Sequence, residues 1–98
     1  MIVDRRTFVT KVGKADDLVE QIKQAAAYVP FAAPYRIYTP QYGRFGDVVL
    51  EIEFKDLTEC DRYWKGWLEK APQAWWATWF SLTENGGGAE TYNLVSKG

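Results

Sequence analysis

The length, composition and charge of this chain exclude several classes of protein. Its 98 residues suffice for one domain, residues 1–98, with no room for a second hydrophobic core. The net charge of −1 comes from scattered acidic and basic residues, so we expect neither nucleic acid nor a membrane surface as a partner. No run of about 18 apolar residues and no signal-like segment occurs, and a single cysteine, Cys60, suits a cytoplasmic protein.

The chain also contains no histidine. Histidine is the commonest general base near neutral pH, the commonest transition-metal ligand and the usual proximal ligand of haem. Its absence excludes Ser-His and Cys-His catalysis. The acidic residues occur as pairs, and no other kind of metal-ligating residue lies near them at the spacing that is typical of a metal site. We therefore expect neither a metal ion nor a cofactor.

The first predicted elements are a strand and a helix. Residues 2–12 are rich in β-branched and aromatic side chains, which favours a strand that Gly13 closes. The acidic pair at residues 16–17 carries negative charge where a helix N-terminus favours it. Apolar residues recur at helical spacing over residues 18–29 and predict a helix of roughly four turns that ends before Pro30.

A connector and a hairpin follow. Residues 30–34 contain two prolines, which exclude regular strand pairing there. Residues 35–39 and 48–54 predict two strands, joined by a loop with two glycines and aromatic side chains. Alternation in the second of these strands places Val48, Leu50, Ile52 and Phe54 on one face and Val49, Glu51, Glu53 and Lys55 on the other.

A second helical region holds all five tryptophans, at positions 64, 67, 75, 76 and 79. Either Asp56 or Thr58 can cap its first helix, and Glu59 would complete a capping box if Asp56 is the cap. This helix extends to about Lys70, and Pro72 opens a further helical turn or two. Spacings of three and four let most of the aromatic side chains after the proline share one face.

The C-terminal residues complete a recognisable order of elements. Residues 85–88 predict a flexible loop, because three of them are consecutive glycines, and residues 91–95 predict a fourth strand. The order is that of the α+β ferredoxin-like fold, βαββαβ, whose helices cover one face of a four-stranded antiparallel sheet. The other face, which bears Arg5, Glu51 and Glu53, would meet water or a second sheet.

Several features resemble the NIPSNAP group of the dimeric α/β-barrel superfamily. They are the opening residues 1–8, the turn at residues 12–14 that leads into a helix at Asp17-Leu18, and the tryptophan-bearing second helix. The likeness covers nearly the whole chain in its order of elements and is specific in residues over the first strand and turn. It implies a homodimer in which two sheets pack face to face into a barrel, with the helices outside.

The superfamily includes cofactor-free monooxygenases, lactone isomerases and haem-binding or haem-degrading enzymes, so the resemblance alone assigns no function. Without histidine the chain departs from the His-ligated haem members, and no catalytic residue carries over from the other branches. Within the implied barrel we expect Arg5 to pair with Glu51 or Glu53. Such pairs would explain a face that is too charged for a dry core and too apolar for water alone.

The tryptophans either pack the helices on the sheet and fill the dimer contact, or two or three of them line a cavity for a flat apolar ligand. The candidate substrate-binding residues are Arg6, Phe8, Tyr38, Tyr63, Trp64 and Trp67. In that cavity Phe8, Trp64 and Trp67 form the walls, and Arg6 and Tyr38 are polar contacts. If Phe8 and Val12 face the helices, so does Arg6, which then needs an anion, a nearby acidic side chain or a route to solvent.

The sequence is consistent with two functions, and it does not assign enzymatic activity. In the first, the chain binds a small apolar or aromatic molecule between helices and sheet. If it is catalytic, cofactor-independent monooxygenation or isomerisation fits best, since such chemistry needs orientation and shielding from water more than a strong base. In the second, it is a non-enzymatic structural or interaction protein with the tryptophans as core and interface. A cavity beside Trp64 and Trp67 favours the first, and a filled core favours the second.

Overall fold

The computed structural model describes residues 1–29 and 34–98. Within them the chain forms four strands and three helices: β1 (Ile2–Thr10), α1 (Ala15–Ala25), β2 (Tyr35–Tyr38), β3 (Asp47–Phe54), α2 (Leu57–Lys70), α3 (Gln73–Leu82) and β4 (Thr83–Asn93). None of these helices is long and apolar enough to cross a membrane. The connector predicted at residues 30–34 lies, except for its last residue, outside the described residues.

The strands form one antiparallel sheet in the order β2-β3-β1-β4. The two central strands, β3 and β1, pair so that Arg5 lies opposite Glu51. On the other side of β1, the register with β4 places Asp4 opposite Thr91. This order is that of the ferredoxin-like fold, so the predicted fold class is confirmed.

The hydrophobic core lies between the sheet and the helices. Every second residue of β3 from Val48 to Phe54 is fully buried, as its alternation predicts. These side chains belong to one cluster with Leu18 and Ile22 of α1 and Trp67 of α2. Full burial of such a side chain contributes about 1.5–3 kcal/mol. This layer therefore holds the helices on one face of the sheet.

Among the elements that end earlier than the sequence predicts are β1 and α1. β1 ends at Thr10, because the chain turns at Gly13, which adopts a φ of +76° that suits glycine, and Val12 is 99% exposed. α1 ends at Ala25 because the chain continues in turns of the 3₁₀ type. The amides of residues 26–28 donate to carbonyls three residues earlier. Val29 is nevertheless buried and belongs to the core.

The start of α2 confirms one of the two predicted caps. The Asp56 carboxylate accepts a hydrogen bond from the Glu59 amide at 2.9 Å, so Asp56, and not Thr58, is the N-cap. Pro72 precedes α3 as predicted, and its carbonyl accepts a hydrogen bond from the Trp75 amide at 3.0 Å. The proline thus divides the tryptophan-bearing region into two helices.

β4 differs most from its prediction. One strand, Thr83–Asn93, begins directly after α3. It includes residues 85–88, which were predicted as a loop, and the first three residues of the strand predicted at residues 91–95. The predicted loop was wrong, because the glycines form an irregularity inside the strand, whereas the predicted fourth strand is confirmed over residues 91–93. The register against β1 shifts after Thr7, and Gly87 has a φ of +80°.

Candidate functional site

The tryptophans of α2 and α3 form one connected aromatic layer. Trp67 lies at its centre, with its ring centroid 5.1 Å from that of Trp75 and 6.3 Å from that of Trp79. These three side chains are buried, whereas Trp64 and Trp76 are partly exposed. Ring pairs of this kind stabilise by about 0.5–1.5 kcal/mol beyond their buried area. Most of the layer therefore packs the helices against the sheet.

Trp75 joins α3 to α1 through a reciprocal pair of hydrogen bonds. Its indole N–H donates to the Gln21 carbonyl at 3.2 Å, and the Gln21 side-chain amide donates to the Trp75 carbonyl at 3.1 Å. Both side chains are buried, so these two donors are satisfied inside the core. Sequence reasoning missed Gln21, although its position three residues after Leu18 places it on the apolar face of α1.

A cavity of about 210 Å³ lies where β1, α2 and α3 meet. This tryptophan cavity is lined by Arg6, Phe8, Trp64, Trp67, Leu68, Trp76 and Trp79. Phe8 meets Trp79 edge to face, with ring centroids 4.8 Å apart. Leu68 is 74% exposed, so the cavity opens to solvent on the α2 side. Four of the six candidate residues, at positions 6, 8, 64 and 67, therefore line one cavity.

A buried carboxylate, Asp4, supports one wall of the tryptophan cavity. Only 1% of Asp4 is exposed, and its Oδ2 accepts hydrogen bonds from Arg6 Nε at 2.9 Å and Trp64 Nε1 at 2.8 Å. Its Oδ1 accepts a hydrogen bond from the Thr91 hydroxyl at 3.1 Å. Sequence reasoning did not single out Asp4, although the period-two alternation that turns Arg6 toward the helices turns Asp4 the same way.

The guanidinium of Arg6 is held in two ways. Its Nε bonds to Asp4, and its central carbon lies 4.4 Å from the Trp64 ring centroid, within cation–π range. The pairing with a nearby acidic side chain, one of the two possibilities for this arginine, is therefore present. The two terminal nitrogens have no hydrogen-bond partner among residues 1–29 and 34–98, and the side chain is 32% exposed. Arg6 thus presents a positioned cation with unused donors to the cavity.

The open face of the sheet, opposite the helices, bears Val49, Glu51 and Glu53 and carries ion pairs. Arg5 donates two hydrogen bonds to one oxygen of Glu51, at 3.0 and 2.7 Å, and this bonding raises the pKa of Arg5. The predicted pair thus forms between neighbouring strands of one chain, where the two residues are in register. Lys97 contacts Glu53 at 3.2 Å. Each glutamate, 7% exposed, therefore has a cationic partner.

The structure does not bring Tyr38 or Tyr63 to the lining of the tryptophan cavity. Tyr38 lies opposite Val49 and hence on the open face, where its hydroxyl donates to Glu51 at 3.3 Å. Tyr63 lies in the core, with its ring centroid 5.4 Å from that of Phe54, and burial raises the pKa of its hydroxyl. Both placements depend on strand register and helix rotation, which residue spacing alone does not specify.

Cys60 is a buried thiol on α2. Burial raises its pKa, and the negative charge of Asp4 raises it further. A buried thiol with a raised pKa behaves as a small hydrophobic side chain. In the part of the chain that the structure describes, no three His, Cys, Asp or Glu side chains are grouped so that they could hold a metal ion.

Comparison with known proteins identifies relatives in fold. No protein-family model matches the chain, and no curated protein sequence matches it. An uncharacterised NIPSNAP-like domain protein from Burkholderia xenovorans superposes with a TM-score of 0.78 at 16% identity, over 99% of this chain and 87% of that chain. A NIPSNAP family protein from Agrobacterium tumefaciens gives a TM-score of 0.72 at 17% identity, over 98% and 93% of the two chains.

A third solved structure is that of an antibiotic biosynthesis monooxygenase. It superposes with a TM-score of 0.68 at 14% identity, over 98% of this chain and 100% of that chain. At such identities these likenesses show the fold and assign no activity. They confirm the ferredoxin-like fold and the likeness to NIPSNAP proteins that the opening residues indicated.

Proposed function

We propose that this chain is a NIPSNAP-like protein that binds a small aromatic molecule in the tryptophan cavity. The observation that carries the proposal is the combination of aromatic walls with Arg6, a cation that the buried Asp4 holds in place. Ligand sites are mostly apolar with a few positioned polar groups, and this cavity has that composition. The likeness in fold to a monooxygenase supports a small organic ligand.

The volume of the cavity limits the ligand. Pockets that bind drug-sized ligands have volumes of roughly 300–1,000 Å³. This cavity has about 210 Å³, so one or two fused rings fit it. Larger clefts of about 330 and 430 Å³ lie near residues 10–16 and on the open face. The first is bounded by exposed side chains such as Val12 and Phe45. We favour the tryptophan cavity because buried Trp67 and Trp79 give it fixed walls.

If the protein transforms its ligand, the cavity favours cofactor-independent monooxygenation or isomerisation. Its aromatic walls orient a flat substrate and keep water from the ring faces that they cover. Arg6 lies where it would stabilise negative charge that develops on a substrate oxygen. None of the described lining residues is a general base near neutral pH. We therefore assign binding and charge stabilisation to Arg6, and no proton-transfer residue to this cavity.

Truncation of one cavity wall is expected to weaken binding. Trp76 is partly exposed, and Trp76→Ala removes its ring without removing any hydrogen bond of the indole that the structure describes. Because a ring contact contributes about 0.5–1.5 kcal/mol, we expect naphthalene-2-carboxamide to bind up to about tenfold more weakly. Isothermal titration calorimetry measures the change.

The matched control is Tyr42→Ala, which removes an exposed loop aromatic ring outside the cavity and should leave the affinity unchanged. Absence of binding heat from wild-type protein with both naphthalene-2-carboxamide and naphthalene-2-carboxylate would contradict the proposed function. If Trp76→Ala and Tyr42→Ala weakened binding equally, the binding site would lie outside the tryptophan cavity.

We also propose that two copies associate through their open faces. The NIPSNAP resemblance implies this arrangement, and the charges of the face support it, since Glu51 and Glu53 are already paired with Arg5 and Lys97. A second sheet can therefore cover them without burying an unpaired charge. Light scattering at micromolar concentration is expected to give about twice the chain mass of 11.3 kDa.

The variant that tests this contact is Val49→Lys, which puts an unpaired cation on the open face and should yield monomer. Leu57→Lys, at an exposed position on α2, is its control and should remain dimeric. A monomeric wild-type protein would contradict the dimer.

An exposed apolar strip on α2 and α3 favours the alternative function, that of a non-enzymatic interaction protein. Leu68 and Phe80 are both exposed, and Phe80 stacks on Trp76 with ring centroids 6.0 Å apart. Exposed apolar surface of this kind marks many interaction sites. A folded protein that binds neither naphthalene compound would favour this alternative over ligand binding.

A further inference from the structure

We propose that the ligand of the tryptophan cavity carries a carboxylate, and that the unused edge of Arg6 binds it. This inference rests on the proposed function and names the chemical class of the ligand. An aromatic carboxylic acid satisfies both features of the site: its ring lies against the aromatic walls, and its anionic group meets the guanidinium.

The geometry of Arg6 leaves a binding edge free. A guanidinium has five N–H donors in a planar fork, and the hydrogen bond to Asp4 uses the one on Nε. The four donors on the two terminal nitrogens have no partner within the described residues. That pair of nitrogens matches the two oxygens of a carboxylate, which arginine binds through two parallel hydrogen bonds.

Asp4 positions Arg6 without occupying that edge. The carboxylate is buried and also bonded to Trp64 and Thr91, so it is fixed from three sides. It contacts Arg6 at Nε, while the guanidinium lies over the Trp64 ring. An arginine that is already immobilised loses little conformational entropy when a ligand binds, which favours affinity.

The charges around the cavity suit an acidic ligand. Among the described lining residues Arg6 is the charged one, and the other six are apolar or aromatic. Asp4 is almost completely buried, so its charge lies behind the arginine and not at the cavity surface. A carboxylate would therefore replace water at the terminal nitrogens of Arg6 without meeting a like charge in the lining.

A pair of matched compounds tests this inference. Naphthalene-2-carboxylate, ionised at pH 7, and the neutral naphthalene-2-carboxamide have nearly the same shape, and isothermal titration calorimetry measures the affinity of each. We expect wild-type protein to bind the acid about tenfold or more tightly than the amide, because charge-assisted hydrogen bonds are roughly twice as strong as neutral ones. Arg6→Gln should abolish that preference while the amide still binds.

Two further variants separate the outcomes. Arg44→Gln removes an exposed loop cation outside the cavity and should leave the preference for the acid unchanged. Arg6→Lys keeps the charge but loses the planar fork, so we expect a reduced preference. If Arg6→Gln does not fold, as judged by circular dichroism, the carboxylate assignment is still tested by Arg6→Lys and by the comparison of acid with amide on wild-type protein.

Equal binding of acid and amide to wild-type protein would overturn the carboxylate assignment and leave the proposed function standing. An equal fold-loss of affinity for acid and amide in Arg6→Gln would also overturn the assignment, because it would show that the arginine has a structural role. If neither compound binds wild-type protein, the proposed function fails and the carboxylate assignment fails with it.

Discussion

Asp4→Ala is expected to lower the free energy of unfolding by about 3 kcal/mol, because it removes a buried carboxylate that accepts three hydrogen bonds and pairs with the partly exposed Arg6. Asp4 is 1% exposed and accepts hydrogen bonds from Arg6, Trp64 and Thr91. Its removal leaves the indole N–H of Trp64 without its acceptor as well. Urea denaturation followed by circular dichroism measures the change.

Asp4→Asn separates the charge from the hydrogen bonds. The amide oxygen can still accept from Arg6 and Trp64, and the amide nitrogen can donate to the Thr91 hydroxyl, which accepts as well as donates. We therefore expect a smaller loss, of about 2 kcal/mol, that reports the charge alone. Asp61→Ala, an exposed carboxylate on α2, is the control and should change stability by less than about 0.5 kcal/mol. A similarly small effect for Asp4→Ala would contradict the structural role assigned to Asp4.

Gly87→Ala is expected to destabilise the protein by about 3 kcal/mol. A Cβ atom at this position would lie 2.1 Å from the carbonyl oxygen of Thr7, and the φ of +80° disfavours any L side chain. The left-handed backbone costs about 1–2 kcal/mol for alanine, and overpacking against a neighbouring strand costs about 1–3 kcal/mol. The midpoint of urea denaturation measures the loss.

The neighbouring glycine provides the matched control for this prediction. A Cβ atom on Gly88 would meet nothing within 4 Å, and its φ is not in the left-handed region. Gly88→Ala removes one glycine from the same strand, so it controls for the loss of backbone freedom, and we expect a change within about 1 kcal/mol of zero. Equal destabilisation by both substitutions would contradict a specific role for the bulge at Gly87.

Much of the fold was predictable because local patterns agree with the final structure. The alternation of β3 assigned its buried face correctly, and the two candidate caps, Asp56 and Thr58, placed the start of α2 to within two residues. Pro72 divided the second helical region where the structure divides it. Each of these signals acts within a few residues along the chain, and the tertiary structure does not override them.

The candidate site was predictable in part, for the same reason. Trp64 and Trp67 lie one turn apart on α2, and Arg6 and Phe8 share a face of β1, so periodicity placed both pairs toward the interface of helix and sheet. Whether a cavity remained between them depended on how closely α3 packs, and sequence periodicity carries no information about that distance. The sequence placed Tyr38 with these residues incorrectly, because the face that it occupies depends on its register with β3, which residue spacing does not specify.

By itself, the sequence determined which chemistry is available and which side chains of β3 face the core. The absence of histidine excludes catalysis and metal binding by histidine in any conformation of this chain. The periodicity of strands and helices indicates which side chains share a face. The tertiary structure alone decided that the glycines of residues 86–88 belong to a strand, and that Asp4 meets Trp64 and Thr91. Those contacts join residues 60 and 87 positions apart in the chain. They depend on strand register and helix packing, which no local pattern encodes.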